Sequence, residues 1–124
     1  IGCIAQRLVR NICHYCKVQY KPDYEEIKAL GLDAYIRPDQ TLWKGRGCDH
    51  CRQTGYYGRT GIFEILPYDT EVKDAIRKNI DLGDLRALVR RKGVRSLFDD
   101  GMERVVQGVT TVEEVLRVAG GSAD

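Results

Sequence analysis

The chain has 124 residues, of which 43% are hydrophobic and 31% are charged, and this size and balance predict one ordinary globular core. No apolar run approaches the roughly 20 residues of a membrane-spanning helix and no signal peptide opens the sequence, so we expect a cytosolic protein. The 20 lysines and arginines against 18 aspartates and glutamates give a net charge of +2, without the basic excess typical of nucleic-acid-binding proteins.

The first predicted element is a strand at residues 7–12, where apolar and polar residues partly alternate. It ends at a C-x-x-C pair formed by Cys13 and Cys16. Cys3 lies in an apolar run and is predicted to be a small core residue rather than a metal ligand. Because the first residue is Ile1 and not methionine, we expect the chain to be a piece of a longer protein.

The next predicted element is a short helix that begins after Asp23 and ends at Gly31. Glycines then give the chain freedom to turn before the second cysteine pair. Three residues of this region are expected at the surface, where they would be available to a partner: Tyr24, Arg37 and Trp43.

Four of the five cysteines form two C-x-x-C pairs, Cys13 with Cys16 and Cys48 with Cys51. The odd total argues against a disulfide framework, and two intracellular pairs are typical of a structural zinc ion held by four thiolates. The gap between the pairs exceeds the roughly 15 to 20 residues of compact zinc ribbons, but loop-closure entropy rises slowly with length and metal binding can offset it. A thiol redox centre is the alternative, although that class places one pair at the start of a helix.

Two histidines and two tyrosines in or near the cysteine turns each have two interpretations. His14 and His50 could each replace a cysteine as ligand, but four thiolates complete the coordination sphere, so we expect both histidines to face solvent. Tyr56 and Tyr57 could be exposed aromatic residues that bind a partner, or they could form a lid that covers the metal site. We favour the lid, because small metal modules have little other core.

A second strand is predicted at residues 59–66, just after the second cysteine pair, and it ends at Pro67. If this strand pairs with the one at residues 7–12, residues 13–58 form one long excursion that projects from a sheet and is held at its base by the metal. The excursion is either an interaction device or a region that the metal only stabilises.

After Pro67 the apolar period becomes helical, and we expect the apolar stripes of these helices not to depend on the metal. Thr111 and Glu114 predict a capping box at the start of the last helix. The predicted fold is α+β: a two-stranded or small sheet with a tetracysteine zinc-binding insertion, followed by a carboxy-terminal helical bundle. The apolar stripes lie at residues 72–76, 82–89, 97–106 and 112–119.

The only dense basic cluster, residues 90–95, has two interpretations. Clustered cations can mark a nucleic-acid-binding surface. A helix end is favoured, because cations complement the negative pole of the helix dipole and Gly93 is suited to the cap. An independent nucleic-acid-binding zinc module is therefore the less favoured reading of the whole chain.

Four motifs follow one another along the chain: IAQRLVR before the first cysteine pair, GCDHCRQTGY around the second pair, GRTGIFEIL in the second strand and GVTTVEEVLRV near the end. In this order they resemble the carboxy-terminal part of the type II secretion and type IV pilus assembly ATPases. The resemblance covers nearly the whole chain, and the ordered set is far more specific than any one motif. One local departure is His14, where many relatives have proline.

The resemblance implies a hexameric, RecA-like cytoplasmic ATPase that acts at the inner membrane with secretion or pilus assembly proteins as partners, and not with nucleic acid. It implies zinc ligation by the four paired cysteines. ATP and Mg²⁺ would be bound only in the longer parent protein. The implied divisions are residues 1–12 as the end of the ATPase core, 13–58 as the zinc-binding insertion, 59–66 as the returning core strand and 67–124 as the helical subdomain.

No G-x-x-x-x-G-K-[ST] phosphate loop occurs in the sequence. Such a loop supplies the backbone amides, the lysine and the magnesium-binding hydroxyl that hold a triphosphate. We therefore expect this segment to be non-catalytic, although the parent protein is an enzyme. Type II secretion is the favoured system and type IV pilus assembly is the alternative.

Overall fold

The computed structural model describes the backbone of residues 2–67 and 69–120 and the side chains of residues 4–66 and 69–120. The predicted core position of the Cys3 side chain therefore lies outside the described residues. Within them, the elements are β1 (Gly2–Ile12), β2 (Lys17–Tyr20), α1 (Tyr24–Ala29), β3 (Leu42–Gly45), β4 (Tyr56–Pro67), α2 (Thr70–Arg77), α3 (Leu82–Arg91), α4 (Leu97–Val106) and α5 (Val112–Ala119).

The two long strands β1 and β4 form an antiparallel sheet. Direct partners include Ile4 with Ile65 and Val9 with Thr60, and the register shifts after Arg10, where β1 approaches the first cysteine pair. The predicted pairing of these two strands is confirmed, and both strands are longer than predicted. The sheet brings the chain segments before the first cysteine pair and after the second one side by side.

The two faces of the β1–β4 sheet have different surroundings. Val9 and Ile62 are fully buried on the face that packs against α4 and α5. Ile4, Phe63 and Ile65 are 69%, 42% and 60% exposed. Because direct partners in an antiparallel pair point to the same side, the exposed Ile4 and Ile65 lie on one face. The outer face of the sheet therefore carries an apolar surface that no described residue covers.

A second, smaller sheet forms between the cysteine pairs. β2 and β3 pair antiparallel, with Lys17 opposite Gly45. The short helix predicted between them is present as α1, because Asp23 accepts a hydrogen bond from the Glu25 backbone N–H at 3.0 Å. Gly31 follows α1 with a φ of 74°, a conformation that glycine adopts at little cost.

The predicted carboxy-terminal helices are confirmed, and they form two pairs. The helices α4 and α5 pack on each other and on the β1–β4 sheet, whereas α2 and α3 pack mainly on each other. Among the described residues, α2 buries only Val72 and α3 only Leu88, but α4 buries six residues. The α4–α5 pair therefore makes the larger contribution to the core.

The largest apolar core combines residues 13–58 with α4 and α5. The Tyr35 ring meets Phe98 edge-on with centroids 5.5 Å apart, and a Cβ added to Gly108 would lie 3.0 Å from the Trp43 ring. The expectation that residues 13–58 project from the sheet is therefore wrong, because they pack against α4 and α5. The expectation that the helices do not depend on the metal stays a prediction. Buried members of this core include Ile27, Leu32, Ile36, Leu42, Met102, Val105, Val112 and Val115.

Two of the three residues expected at the surface are partly buried by this packing. Tyr24 packs against the core, and Trp43 is half-buried beside Gly108 with the Lys17 ammonium 5.5 Å from its ring centroid. Arg37 is exposed as expected. The difference has a simple cause, because a nearby apolar surface gains more by covering an aromatic ring than by leaving it in water.

Candidate metal centre

The sulfur atoms of the four paired cysteines lie within 4.8 Å of one another. The Sγ–Sγ distances are 3.8 Å for Cys13 and Cys48, 3.8 Å for Cys16 and Cys51, and 3.6 Å for Cys48 and Cys51. Four thiolates at about 2.3 Å from a central zinc ion would be about 3.8 Å apart, whereas bonded disulfide sulfurs are about 2.05 Å apart. The structure thus brings together all four predicted ligands with the spacing of a tetrahedral metal site.

The strand ends place these cysteines. Cys13 follows β1 and Cys16 precedes β2, while the second pair occupies the turn between β3 and β4. Gly45 and Gly55 pass so close to each other that a Cβ on Gly45 would lie 2.0 Å from the Gly55 carbonyl oxygen. The Cys13 backbone N–H also donates to that carbonyl oxygen at 3.0 Å. Only glycine permits the close crossing that brings the two cysteine turns together.

Backbone N–H groups donate hydrogen bonds to two of the sulfurs. Cys16 Sγ accepts from Gly47 at 3.2 Å, and Cys51 Sγ accepts from Cys48 at 3.3 Å and from Gly55 at 3.2 Å. Burial raises the pKa of the Cys16 thiol to about 11. At Cys51 burial also acts to raise the pKa, but the two amide donors together with the Cys48 and Cys16 thiols outweigh it and lower the pKa to about 6. These amides favour the thiolate form that a metal ion requires.

The two histidines of the cysteine turns have different surroundings. Both histidines are exposed, as expected, but the His50 ring also contacts two tyrosine rings, with centroids 4.2 Å from Tyr15 and 4.4 Å from Tyr57. Among the described residues, the group of possible ligands contains the four cysteines and neither histidine. Tyr57 therefore contacts a residue of the second cysteine turn but is itself 60% exposed, so the lid interpretation stays a prediction.

Tyr56 has a different role from Tyr57, because successive residues of a strand point to opposite faces. The Arg10 guanidinium lies 4.2 Å from the centroid of the Tyr56 ring, and the Tyr56 hydroxyl lies 2.7 Å from that of Thr111. The Arg10 backbone N–H and side chain donate to the Glu114 carboxylate at 2.8 and 3.0 Å. These contacts join the base of residues 13–58 to the start of α5.

The Glu114 carboxylate was not recognised as a site from the sequence. Its side chain is only 1% exposed, and although burial raises its pKa, the hydrogen bonds and charges of Arg117 and Arg10 lower it to about 2. The predicted capping box is only half correct: Thr111 Oγ accepts from the Glu114 N–H at 3.2 Å, but the Glu114 carboxylate binds the two arginines. No short-range signal in the sequence predicts a partner as distant as Arg10.

The basic cluster at residues 90–95 is a helix end, as favoured from the sequence. α3 ends there, and Gly93 has a φ of 83°. The Lys92 ammonium lies 2.8 Å from an Asp69 carboxylate oxygen and 2.7 Å from a Glu71 carboxylate oxygen. Neighbouring acidic groups therefore engage part of this positive charge.

Comparisons with known proteins place this chain in a family. The profile described as "Type II/IV secretion system protein" matches residues 1–117. The chain is 44% identical to the type IV pilus assembly ATPase PilB of Thermus thermophilus over 94% of its own length and 13% of the relative. It is also 44% identical to the type II secretion system protein E of Pseudomonas aeruginosa, over 95% of its length and 23% of the relative.

A further relative is the type IV pilus assembly ATPase TfpB of Acinetobacter baylyi, with 39% identity over 95% of the chain and 20% of the relative. The chain therefore spans less than a quarter of the length of these three relatives. Within the part of the chain that the structure describes, no helix is long and apolar enough to cross a membrane.

Proposed function

Because the chain belongs to the type II/IV secretion system protein family, we propose that it is the zinc-binding and helical carboxy-terminal segment of a secretion or pilus assembly ATPase. The observation that carries this proposal is the tetrahedral spacing of the four cysteine sulfurs. A closed set of four thiolates leaves no position for a substrate. In this proposal the metal site stabilises the fold and takes no part in a chemical reaction.

We propose zinc as the resident ion, held by Cys13, Cys16, Cys48 and Cys51. When bound, zinc would supply four metal–sulfur bonds that close the loop between the cysteine pairs. Four thiolates in a tetrahedron are also suited to a single iron ion, so the identity of the metal needs a direct test.

Elemental analysis and X-ray absorption of the purified full-length protein test this proposal. We expect one zinc per chain with four sulfur neighbours at about 2.3 Å. The variant Cys51→Ser should lose the ion, and the matched control Cys3→Ser should keep it. Iron at the site, a histidine nitrogen among the ligands, or a folded protein without metal would each contradict the proposal.

We also propose that this segment neither binds nor hydrolyses ATP. The phosphate loop that would hold ATP and Mg²⁺ is missing from the sequence, and the relatives named as ATPases are several times longer than the chain. Calorimetric titration of the segment with Mg-ATP should give no heat of binding. A dissociation constant in the micromolar range would show that the segment holds a nucleotide site of its own.

The parent protein, in this proposal, is a hexameric cytoplasmic ATPase located at the inner membrane through its protein partners, with no role for nucleic acid. Residues 1–12 and 59–66 would form the edge of its RecA-like core, residues 13–58 the zinc-binding insertion and residues 67–124 the helical subdomain. The exposed apolar outer face of the β1–β4 sheet supports this division, because a larger core would cover it.

The proposed system is type II secretion, with type IV pilus assembly as the alternative, since one relative from each system has 44% identity. A strain that lacks the full-length gene decides between them. Loss of protein export with normal pili supports type II secretion, and loss of pili with normal export supports the alternative.

We further propose that the exposed surface of residues 13–58 contacts a neighbouring subunit or a membrane partner. Arg37 is suited to the test, because it is exposed and lies outside the metal site. The variant Arg37→Glu should keep its zinc and lose hexamer formation or assembly activity. Normal zinc content, hexamers and activity in this variant would favour a metal site that only stabilises the fold.

A further inference from the structure

An exposed stack of three rings crosses the boundary between the two cysteine turns. Tyr15 lies between the two cysteines of the first turn, and His50 lies between the two cysteines of the second. The His50 ring contacts the rings of both Tyr15 and Tyr57 of β4, and both pairs are tilted, with interplanar angles of 51° and 39°. Tyr15 is 74% exposed and Tyr57 is 60% exposed, so burial in the core does not explain the stack.

The position of the stack matters because each cysteine turn supplies two of the four sulfurs. Elsewhere the two turns are joined by hydrogen bonds: Arg46 N–H donates to the Cys16 carbonyl at 3.1 Å, and Gly47 N–H donates to the Cys16 sulfur at 3.2 Å. On the exposed side, ring contacts join the turns. A metal ion can leave only when the turns separate enough for water or a competing ligand to replace the sulfurs.

We propose that the stack of Tyr15, His50 and Tyr57 is a clamp that holds the two cysteine turns together and slows the release of the metal ion. His50 is then a positioning residue and not a ligand. Its flat ring contacts both tyrosines, so it joins the first turn to the second turn and to β4. Tilted aromatic pairs add attraction beyond the area they bury, and two such pairs meet at this one ring. The inference rests on the proposed metal site.

The full-length zinc-loaded protein provides the test, with zinc transfer to a chromogenic chelator measured at constant pH. The variant His50→Ala should release zinc about tenfold faster than the unsubstituted protein, since it loses both ring pairs. His50→Phe should keep the slow rate, because it retains a ring and removes both imidazole nitrogens. His14→Ala is the matched control, since none of the ring contacts within residues 4–66 and 69–120 involves His14.

Two further measurements separate the clamp from a ligand or a folding effect. The cobalt-substituted His50→Ala protein should keep the absorption spectrum of four sulfur ligands. Tyr15→Ala, at a position that is 74% exposed, should also release zinc faster while the circular dichroism spectrum of the folded protein is kept.

Equal release rates for His50→Ala and His14→Ala would overturn the clamp, and so would a fast rate in His50→Phe. If His50→Ala does not fold, the rate of Tyr15→Ala against His14→Ala decides in the same way. A protein that binds no metal even without substitution contradicts the proposed metal site itself. That outcome is distinct from a failure of the clamp alone.

Discussion

The helices α4 and α5 differ from the helices α2 and α3 in the residues against which they pack. α4 and α5 bury their apolar side chains in the same core as residues 13–58, whereas the buried residues Val72 of α2 and Leu88 of α3 lie outside that core. The α2–α3 pair is joined by Lys92, which pairs with acidic groups near the start of α2. The two pairs therefore belong to different packing units.

This difference shows what an amphipathic pattern leaves open. The period of the apolar residues predicts that a helix buries one face, but it does not identify the segment that covers that face. For α4 and α5, the covering segment lies many residues earlier and is held near the candidate metal site. We therefore expect damage at the metal site to reach α4 and α5 and to spare α2 and α3.

The largest expected effect is the loss of one thiolate in Cys48→Ser. The variant should bind no zinc, because a serine hydroxyl is a much weaker zinc ligand than the thiolate that it replaces. Structural zinc can contribute on the order of 10 kcal/mol to a small module, so the melting temperature should fall steeply. Metal analysis and circular dichroism measure both effects. A variant that keeps one zinc per chain would contradict the assignment of Cys48 as a ligand.

The next largest effect is expected for Gly45→Ala. The new Cβ would meet the Gly55 carbonyl oxygen at 2.0 Å, and because that oxygen belongs to the backbone, the two cysteine turns must separate. Steric overlap of this kind costs about 3 kcal/mol. Urea denaturation and zinc affinity should both show the loss.

The control Gly83→Ala places a Cβ 3.5 Å from a carboxylate oxygen of Asp81, the N-cap residue of α3, and this is an ordinary van der Waals contact. It should leave zinc binding unchanged and stabilise the helix by about 0.5 to 1 kcal/mol. A Gly45→Ala protein as stable as this control would show that the close crossing of the two glycines is dispensable.

Glu114→Gln should weaken the attachment of α5 to β1. The pKa of Glu114 is held near 2 in the fold, below its usual 4.5, so its stabilising contribution is present above pH 4.5 and is lost as the pH falls towards 2. At neutral pH we expect a loss of about 2 kcal/mol, allowing for solvent screening at the half-exposed Arg10 and Arg117.

The comparison of Glu114→Gln with Glu113→Gln makes this prediction specific, because Glu113 is an exposed neighbour on the same helix. Chemical denaturation between pH 2 and pH 7 should show a smaller loss of stability on acidification for Glu114→Gln than for the control. Identical pH profiles for the two variants would contradict the proposed role of the Glu114 ion pairs.

The smallest effect is expected for Tyr35→Phe. The Tyr35 hydroxyl donates a hydrogen bond to the Asp99 carboxylate, while the ring packs on Phe98. Removing the hydroxyl and keeping the ring should cost about 1 kcal/mol of unfolding free energy, measured in urea. An unchanged free energy would show that this bond does not help to attach residues 13–58 to α4.

Features that depend on neighbouring residues could be predicted from the sequence. The cysteine pairs, the short helix after Asp23 and the glycine end of α3 each rest on chemistry within a few residues. The pairing of β1 with β4 could also be predicted, because one strand ends at the first cysteine pair and the other begins soon after the second.

Features that depend on long-range packing could not be predicted. The partners of the Glu114 carboxylate include Arg10, at the other end of the chain, and the burial of Trp43 depends on its approach to Gly108. The stack around His50 also escaped prediction, because the two turns must first be brought together by the Gly45–Gly55 crossing. In each case the residue is visible in the sequence, but the distant residue that it contacts cannot be identified from the sequence alone.

The most direct test of the central claim is amide hydrogen exchange of the full-length protein with and without a zinc chelator. If residues 13–58 and α4–α5 form one unit that depends on the metal, chelation should remove protection from Leu42 and also from Met102 and Val105, and leave Leu88 of α3 unchanged. Retained protection at Met102 and Val105, with loss confined to residues 13–58, would contradict the claim.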